Sequence, residues 1–251
     1  MFPLIKFYNF QIPTFFLVIS ITLTALLFWL SSRLDSENGK NFNRKVAYNL
    51  SLIIMIFGFW GARLFHVFYE EWSFYQEYPV QIFKFWNGGF IYFGGMVAAL
   101  CASYIYLKHE KQNFTAWANF MTPMLSASYA LGRIGCFFEG CCYGNYCELP
   151  WSIQARHPTQ IYMMLGEFFI LGLLLLIEKR GSVSNVTGYL FFKWLLLHSI
   201  FRFIFEYFRA DDRGDMIFGL SISQIFCVVL ICVSGFMILK NKKAIFFKRS
   251  L

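Results

Sequence analysis

Four stretches of the chain run without a single Asp, Glu, Lys or Arg: residues 7–32, 85–107, 112–132 and 216–239. Each is 21 to 26 residues long, and about 20 apolar helical residues cross the hydrocarbon core of a bilayer. Three further apolar runs carry isolated charges: 46–69 with Arg63, 159–178 with Glu167 inside and Glu178 at its end, and 187–209 with Lys193, Arg202 and Glu206 inside and Arg209 at its end. The pattern predicts seven membrane helices, at about 12–32, 46–69, 88–107, 113–132, 159–178, 187–209 and 217–239. The fold class expected is an all-α integral membrane protein, with residues 1–251 forming a single polytopic domain. The first helix does not read as a cleavable leader. Its apolar stretch is too long, only Lys6 flanks it, and no small-x-small cleavage site follows.

Composition agrees. Of 251 residues, 58% are hydrophobic and 14% charged, against roughly 25% charged in soluble domains, which excludes a disordered chain and argues against a soluble one. The net charge of +8 is explained by its distribution. The segments before the second helix, between the third and fourth, between the fifth and sixth, and after the seventh hold 13 Lys and Arg, and the opposite segments hold six. The positive-inside rule then places the N-terminus outside and the C-terminus in the cytoplasm. The basic tail at 240–249 reads as an anchor beside anionic lipid, not a nucleic-acid site. The aromatic segment 70–87 lies on the outer side and suits the headgroup layer.

Charges inside the predicted helices are the first chemical signal. Arg63 lies 18 positions beyond Lys45, Arg133 lies 22 beyond Lys111, and Arg202 lies 22 beyond Arg180. Three outward-running helices therefore carry an arginine to one outer level, which suits an anion. His198, Arg202, Glu206 and Arg209 recur at spacings of four, four and three and share one helical face. Such a stripe must face the bundle interior or water; it reads either as a structural ion pair or as a phosphate site. Two glycine pairs, Gly88-Gly89 and Gly94-Gly95, permit close approach of a helix or of a ligand. Glu167, roughly 14 Å below the outer end of its helix, must be protonated or paired.

The segment GRIGCFFEGCCYG at 132–144 resembles the signature G-R-x-G-N-F-x-N-G-E-x-x-G of the prolipoprotein diacylglyceryl transferase family, matching at Gly132, Arg133, Gly135, Phe137, Gly140 and Gly144. Further segments resemble family motifs in order along most of the chain: Gly61-Ala62-Arg63, the glycine pairs of 88–95, His157-Pro158-Thr159-Gln160-Ile161-Tyr162, Phe201-Arg202 through Glu206-Tyr207-Phe208-Arg209, and Ser223-Gln224. Cys136, Glu139 and Cys141 stand where that signature has Asn, Asn and Glu, and Phe93 where the family has a histidine.

The resemblance implies transfer of a diacylglyceryl group from phosphatidylglycerol to the lipobox cysteine of a lipoprotein precursor, at the outer face of a bacterial inner membrane, by a monomer without cofactor. Arg133, Arg202, Glu206 and His198 are the expected catalytic residues. Arg63, Gly94, Gly95, Cys136, Glu139, Cys141, Gly144, His157, Gln160 and Arg209 are the expected substrate contacts. Phenylalanine cannot accept a proton, so the base must come from elsewhere: His198, one turn from Arg202; His66, one turn from Arg63; or the cysteines.

Cys101, Cys227 and Cys232 fall in apolar helices and read as packing residues. Cys136, Cys141, Cys142 and Cys147 fall within twelve residues on the outer side and read as disulfides, reactive thiols or free thiols. No metal is expected, because C-x4-C-C-x4-C lacks a C-x2-C knuckle. Two other classes fit the same residues: a non-catalytic lipid- or peptide-binding relative, and a membrane thiol–disulfide oxidoreductase.

Overall fold

The computed structural model describes residues 4–7, 10–180, 188–210, 216 and 218–249. A short antiparallel hairpin opens the chain, β1 (Leu4–Phe7) against β2 (Phe10–Pro13), with Phe7 opposite Phe10 and Leu4 opposite Pro13. Helices follow: α1 (Thr14–Asp35), α2 (Arg44–Tyr69), the short α3 (Trp72–Glu77), α4 (Tyr92–His109), α5 (Phe114–Glu139), α6 (Thr159–Lys179), α7 (Tyr189–Glu206) and α8 (Ile222–Arg249). Two 3-10 turns, at Pro79–Phe83 and Phe85–Asn87, lie between α3 and α4. The fold is otherwise all helical, as expected, and the short α3 adds a helix to the seven predicted. Arg213, counted among the outer charges, lies outside the described residues.

Four of the described helices are long and apolar enough to cross a membrane: α1, α2, α6 and the Ile222–Asn241 part of α8. Phe68, Phe169 and Phe236 are among the large apolar side chains that these helices leave exposed, as expected where lipid is the solvent. The protein is a multi-pass membrane protein. α4, α5 and α7 fall short of that apolarity. In α5 and α7 polar groups are built in: Asn119, Thr122 and Ser126 in α5 and His198, Ser199 and Glu206 in α7 are all buried.

Two compact units make up the chain, Leu34–Trp117 and the remainder, Met1–Arg33 with Ala118–Leu251. In the first, Asn43 caps α2 by accepting from the Lys45 and Val46 amides. α2 and α4 cross through small residues. A Cβ on Gly61 would stand 2.3 Å from the Cβ of Ala98, and one on Gly95 would stand 2.6 Å from the Gly58 carbonyl oxygen. Gly94 and Gly95, expected at substrate, are thus buried in a helix–helix crossing.

Arg63 is also directed inward in this unit and is 2% exposed. Its Nε donates to the Ile82 carbonyl, Nη1 to those of Gly88 and Gly89, and Nη2 to those of Gln81 and Lys84. All five N–H groups of a guanidinium are therefore matched by main-chain carbonyls, and Arg63 shapes the segment 81–89 rather than presenting donors to an anion. Gly88 and Gly89 have φ of +82° and +78°, which delays the start of α4 from the predicted 88 to Tyr92.

In the larger unit, Arg33 donates to both oxygens of Glu178 and to the Phe120 carbonyl, tying α1, α5 and α6 together at one end. Ile170 and Leu174 of α6 pack with Leu190, Trp194 and Leu195 of α7 in a core that Leu230 of α8 borders. α5 runs to Glu139, seven residues past its predicted end, and stops at Gly140 with φ +82°. The apolar run Ile134, Cys136, Phe137 and Phe138 sustains it, and a left-handed glycine terminates it.

The α2–α4 crossing can be tested by volume. Gly94→Val would place a Cβ 2.2 Å from that of Phe65; overpacking of this kind costs about 1–3 kcal/mol, and the heat-unfolding midpoint in detergent should fall. Gly172→Ala, in α6 with nothing within 4 Å of the added Cβ, should leave it unchanged or raise it.

Candidate active site

The predicted stripe on α7 forms, and each member has a partner. Glu206 is 1% exposed. Its Oε2 lies 2.5 Å from Arg202 Nη1 and 3.6 Å from Arg209 Nη1, and its Oε1 accepts from the Ser221 hydroxyl at 2.9 Å. Ser221 in turn takes the Gln224 amide on its hydroxyl oxygen, while Gln224 Oε1 accepts from the Ser221 amide. This reciprocal cap starts α8, and it explains why α8 begins at Ile222 rather than near 217. Arg202 also donates to Ser223 at 3.3 Å.

Arg133, from α5, joins this group. Its Nη2 donates to the Tyr129 hydroxyl at 2.5 Å, and its guanidinium lies 4.5 Å over the Tyr129 ring. Arg202 is within electrostatic reach of both Arg133 and Arg209. Among the described residues no carboxylate lies within ion-pair distance of Arg133. Two arginines thus share one carboxylate while a third, Arg133, stands within electrostatic reach of Arg202, and the net positive charge suits an anion with one or two charges.

A second buried carboxylate lies deeper. Glu167 of α6, 2% exposed, accepts from Ser126 at 2.9 Å and from the Trp194 indole at 2.6 Å through Oε1. Its Oε2 is 2.8 Å from His198 Nδ1. The His198 ring meets the Tyr129 ring edge-on at 4.4 Å between centroids. Glu167 is therefore paired, one of the two states expected of it. The contacts form a chain from Glu167 through His198 and Tyr129 to Arg133. A carboxylate on Nδ1 orients an imidazole and leaves Nε2 for proton exchange. The sequence did not reveal this partnership, because Glu167 and His198 are 31 positions apart on different helices.

The chain after α5 folds back on itself. Cys142 adopts φ +60°, uncommon for a non-glycine residue. Gln160 and Thr159 of α6 hold the turn by donating to the carbonyls of Cys141 and Cys142. Gln160, expected at substrate, is buried and directs its amide to the main chain. Gly144 bridges to Arg209 and donates to the His157 carbonyl, where a Cβ would stand 2.5 Å from that of His157. His157 packs against Phe208, with Nδ1 3.2 Å from the Tyr162 hydroxyl. Phe137, Gly140, Tyr143, Arg156, His157 and Gln160 line a small pocket. Glu139 is exposed at the end of α5.

The fold-back gathers the sulfur atoms of Cys136, Cys141 and Cys142 within 4.8 Å of one another. All seven cysteines are free thiols. Hydrogen bonds with the Cys136 and Cys141 side chains, with Arg133 and Arg209 in electrostatic reach, hold the Cys142 thiol well below its ordinary range. The linear spacing gave no sign of this triad. In the smaller unit, His66 Nδ1 lies 2.5 Å from Glu70, and Phe93 sits in the first turn of α4.

A multi-pass membrane protein with a buried arginine–carboxylate site is the class these features define. The chain belongs to the prolipoprotein diacylglyceryl transferase family, whose sequence profile matches residues 3–240. It is 35% identical over 182 residues to the phosphatidylglycerol–prolipoprotein diacylglyceryl transferase of Polynucleobacter necessarius, covering 68% of each chain. The protein of that name from Symbiobacterium thermophilum is 29% identical over 229 residues, 85% of this chain and 82% of the relative. That from Nitratidesulfovibrio vulgaris strain DP4 is 27% identical over 215 residues, 81% and 80% respectively.

Breaking the deeper carboxylate should be costly. Glu167→Leu leaves the Ser126 hydroxyl, the Trp194 indole and His198 Nδ1 without their acceptor; removing one partner of such a buried set costs about 3–5 kcal/mol. Glu167→Gln keeps one acceptor oxygen and should cost less. Heat unfolding of the two variants in detergent checks the order.

Proposed function

We propose that this chain transfers a diacylglyceryl group from phosphatidylglycerol to the cysteine thiol of a prolipoprotein. The observation that carries the reading is the pairing of Arg202 and Arg209 with the single carboxylate of Glu206, with Arg133 as a third guanidinium within electrostatic reach of Arg202, in a chain of this family. The lipid phosphate is the anion that fits the excess positive charge. In the transfer the acceptor sulfur attacks the glyceryl carbon, a C–S bond forms as the C–O bond to phosphate breaks, and glycerol phosphate leaves. Charge grows on the leaving phosphate, and preorganised cations stabilise it there.

Arg133 and Arg202 are assigned to the phosphate, Glu206 to the fixed orientation of Arg202 and Arg209, and His198 to the proton of the acceptor thiol. Glu167 orients His198. Cys136, Glu139, Cys141, Gly144, His157, Gln160 and Arg209 form or frame the substrate side. The proposed setting is the bacterial inner membrane, with residues 1–251 as one polytopic domain of seven spans, N-terminus outside and C-terminus in the cytoplasm, acting as a monomer. The 13-to-6 asymmetry of Lys and Arg supports that orientation.

Incubation of the full-length protein with labelled phosphatidylglycerol and a lipobox peptide should yield thioether-linked diacylglyceryl peptide. Arg133→Lys and Arg202→Lys should each lower turnover on the order of 10²-fold, since Lys keeps the charge and loses the two-pronged geometry. His198→Ala should cost about 10²–10⁴-fold. Full turnover in both Arg→Lys variants overturns the phosphate assignment; bound lipid without turnover in the unmodified protein favours a non-catalytic lipid-binding relative.

Orientation is tested separately. Reporter fusions after residue 240 should be active only as cytoplasmic reporters, and an externally active fusion at that point defeats the proposed topology.

A further inference from the structure

The thiols of Cys136, Cys141 and Cys142 take no part in the phosphate chemistry proposed above. Their sulfur atoms all lie within 4.8 Å of one another. Three sulfurs bound to one metal at about 2.3 Å stand about 3.8–4.0 Å apart, so an inward shift of less than about 1 Å closes the set around an ion. One side chain comes from the last turns of α5 and two from the turn that follows Gly140.

The turn is a built one. The Cys141 carbonyl is held by Gln160 and the Cys142 carbonyl by Thr159, both side chains fully buried. The Cys141 thiol also rests against the Cys136 carbonyl at 3.7 Å. Outer partners of this kind orient metal-binding groups and hold their positions.

Charge is matched as well. Three thiolates and a divalent cation sum to one negative charge. Arg133 and Arg209 lie within electrostatic reach of Cys142 and oppose it. A hard cation would find no oxygen set among these three side chains, whereas thiolates select zinc-class and other soft ions.

We propose that Cys136, Cys141 and Cys142 bind one thiophilic divalent cation of the zinc class, whose open fourth position receives the acceptor cysteine of the substrate. Three protein ligands with one open position is the arrangement of catalytic rather than structural zinc, and a thiol that coordinates such an ion is deprotonated. The second half of the proposal rests on the transferase reading. In it, the acceptor S–H proton passes to the imidazole of His198 and the sulfur stays on the metal as thiolate. That sulfur attacks the glyceryl carbon, the C–S bond forms as the C–O bond breaks, and the C–O electron pair leaves on glycerol phosphate. The metal keeps its oxidation state, and the product thioether, a weaker ligand than thiolate, is released.

The test uses the full-length chain in detergent, reduced, freed of metal by a chelator and titrated with Co²⁺ as a spectroscopic probe. One Co²⁺ per chain should bind, with a thiolate-to-cobalt charge-transfer band, and Zn²⁺ should displace it. Cys136→Ser, Cys141→Ser and Cys142→Ser should each weaken binding by about tenfold or more, while Cys147→Ser leaves it unchanged; heat unfolding of the metal-free variants shows that each is folded. Absence of stoichiometric Co²⁺ uptake by the reduced unmodified chain overturns the site, as does equal weakening by Cys147→Ser.

A lipobox peptide should then alter the visible cobalt bands, and the same peptide with serine for cysteine should not. Identical spectra with the two peptides overturn the open position for the acceptor. Metal uptake and the peptide effect are read without turnover. If both appear and labelled phosphatidylglycerol is not consumed, the thiol site stands and the transferase reading is what fails.

Discussion

A carboxylate inside a protein whose solvent is lipid has to be met by cations or hydrogen-bond donors, because an unpaired charge there costs several kcal/mol. Glu206 is met by Arg202 before it, Arg209 after it, and the Ser221 hydroxyl across the connection to α8. The larger unit is organised around that need. The face of α7 carrying Arg202 and Glu206 must turn inward. The start of α8 is fixed because the hydroxyl that reaches Glu206 also caps the helix. Arg209 bridges to Gly144, so the chain leaving α5 is fastened to the chain leaving α7. That fastening, together with Thr159 and Gln160, sets where the three cysteines stand.

Glu167 obeys the same constraint with different partners. Glu206 faces guanidinium groups, which are permanently charged. Glu167 faces a hydroxyl, an indole and an imidazole. The first arrangement holds charge in place; the second holds a proton-carrying ring in one orientation. The two are linked through Tyr129, which meets His198 with its ring and Arg133 with its hydroxyl. A phosphate-side group and a candidate base are thereby set on one framework of α5, α6 and α7.

How much of this the sequence discloses depends on the range of each interaction. The α7 stripe was legible because its members recur at helical spacing and a charged face in a membrane helix has only one place to go. The need for a partner at Glu167 was legible for the same reason, but not that partner's identity. Arg63 looked like a third anion contact. Its role is set by five carbonyls 18 to 26 positions away, and main-chain acceptors leave no mark in composition. Gly94 and Gly95 were ambiguous between ligand and helix, since absence of a side chain serves either; only the positions of Gly58, Gly61 and Phe65 settle them in the crossing. The sulfur triad was hidden because Cys142 takes a left-handed backbone that a non-glycine residue seldom adopts.

The same physics accounts for the uneven hydropathy of the helices. α1, α2, α6 and α8 read as spans because most of their length faces an apolar surround. α4, α5 and α7 do not, and of these α5 and α7 supply Tyr129, Arg133, Cys136, His198, Arg202 and Glu206. A helix that turns several polar side chains toward a buried site must give up apolar residues at those positions, and its mean hydropathy falls accordingly. α6 retains a high hydropathy while contributing Glu167, because one carboxylate in 21 residues is diluted by its leucines and phenylalanines. Low hydropathy in a helix of this length is therefore a marker of inward-facing chemistry, provided the polar residues recur at three- and four-residue intervals as they do on α7. Scattered polar residues at other spacings would face lipid, and the same low value would then argue against a membrane helix altogether.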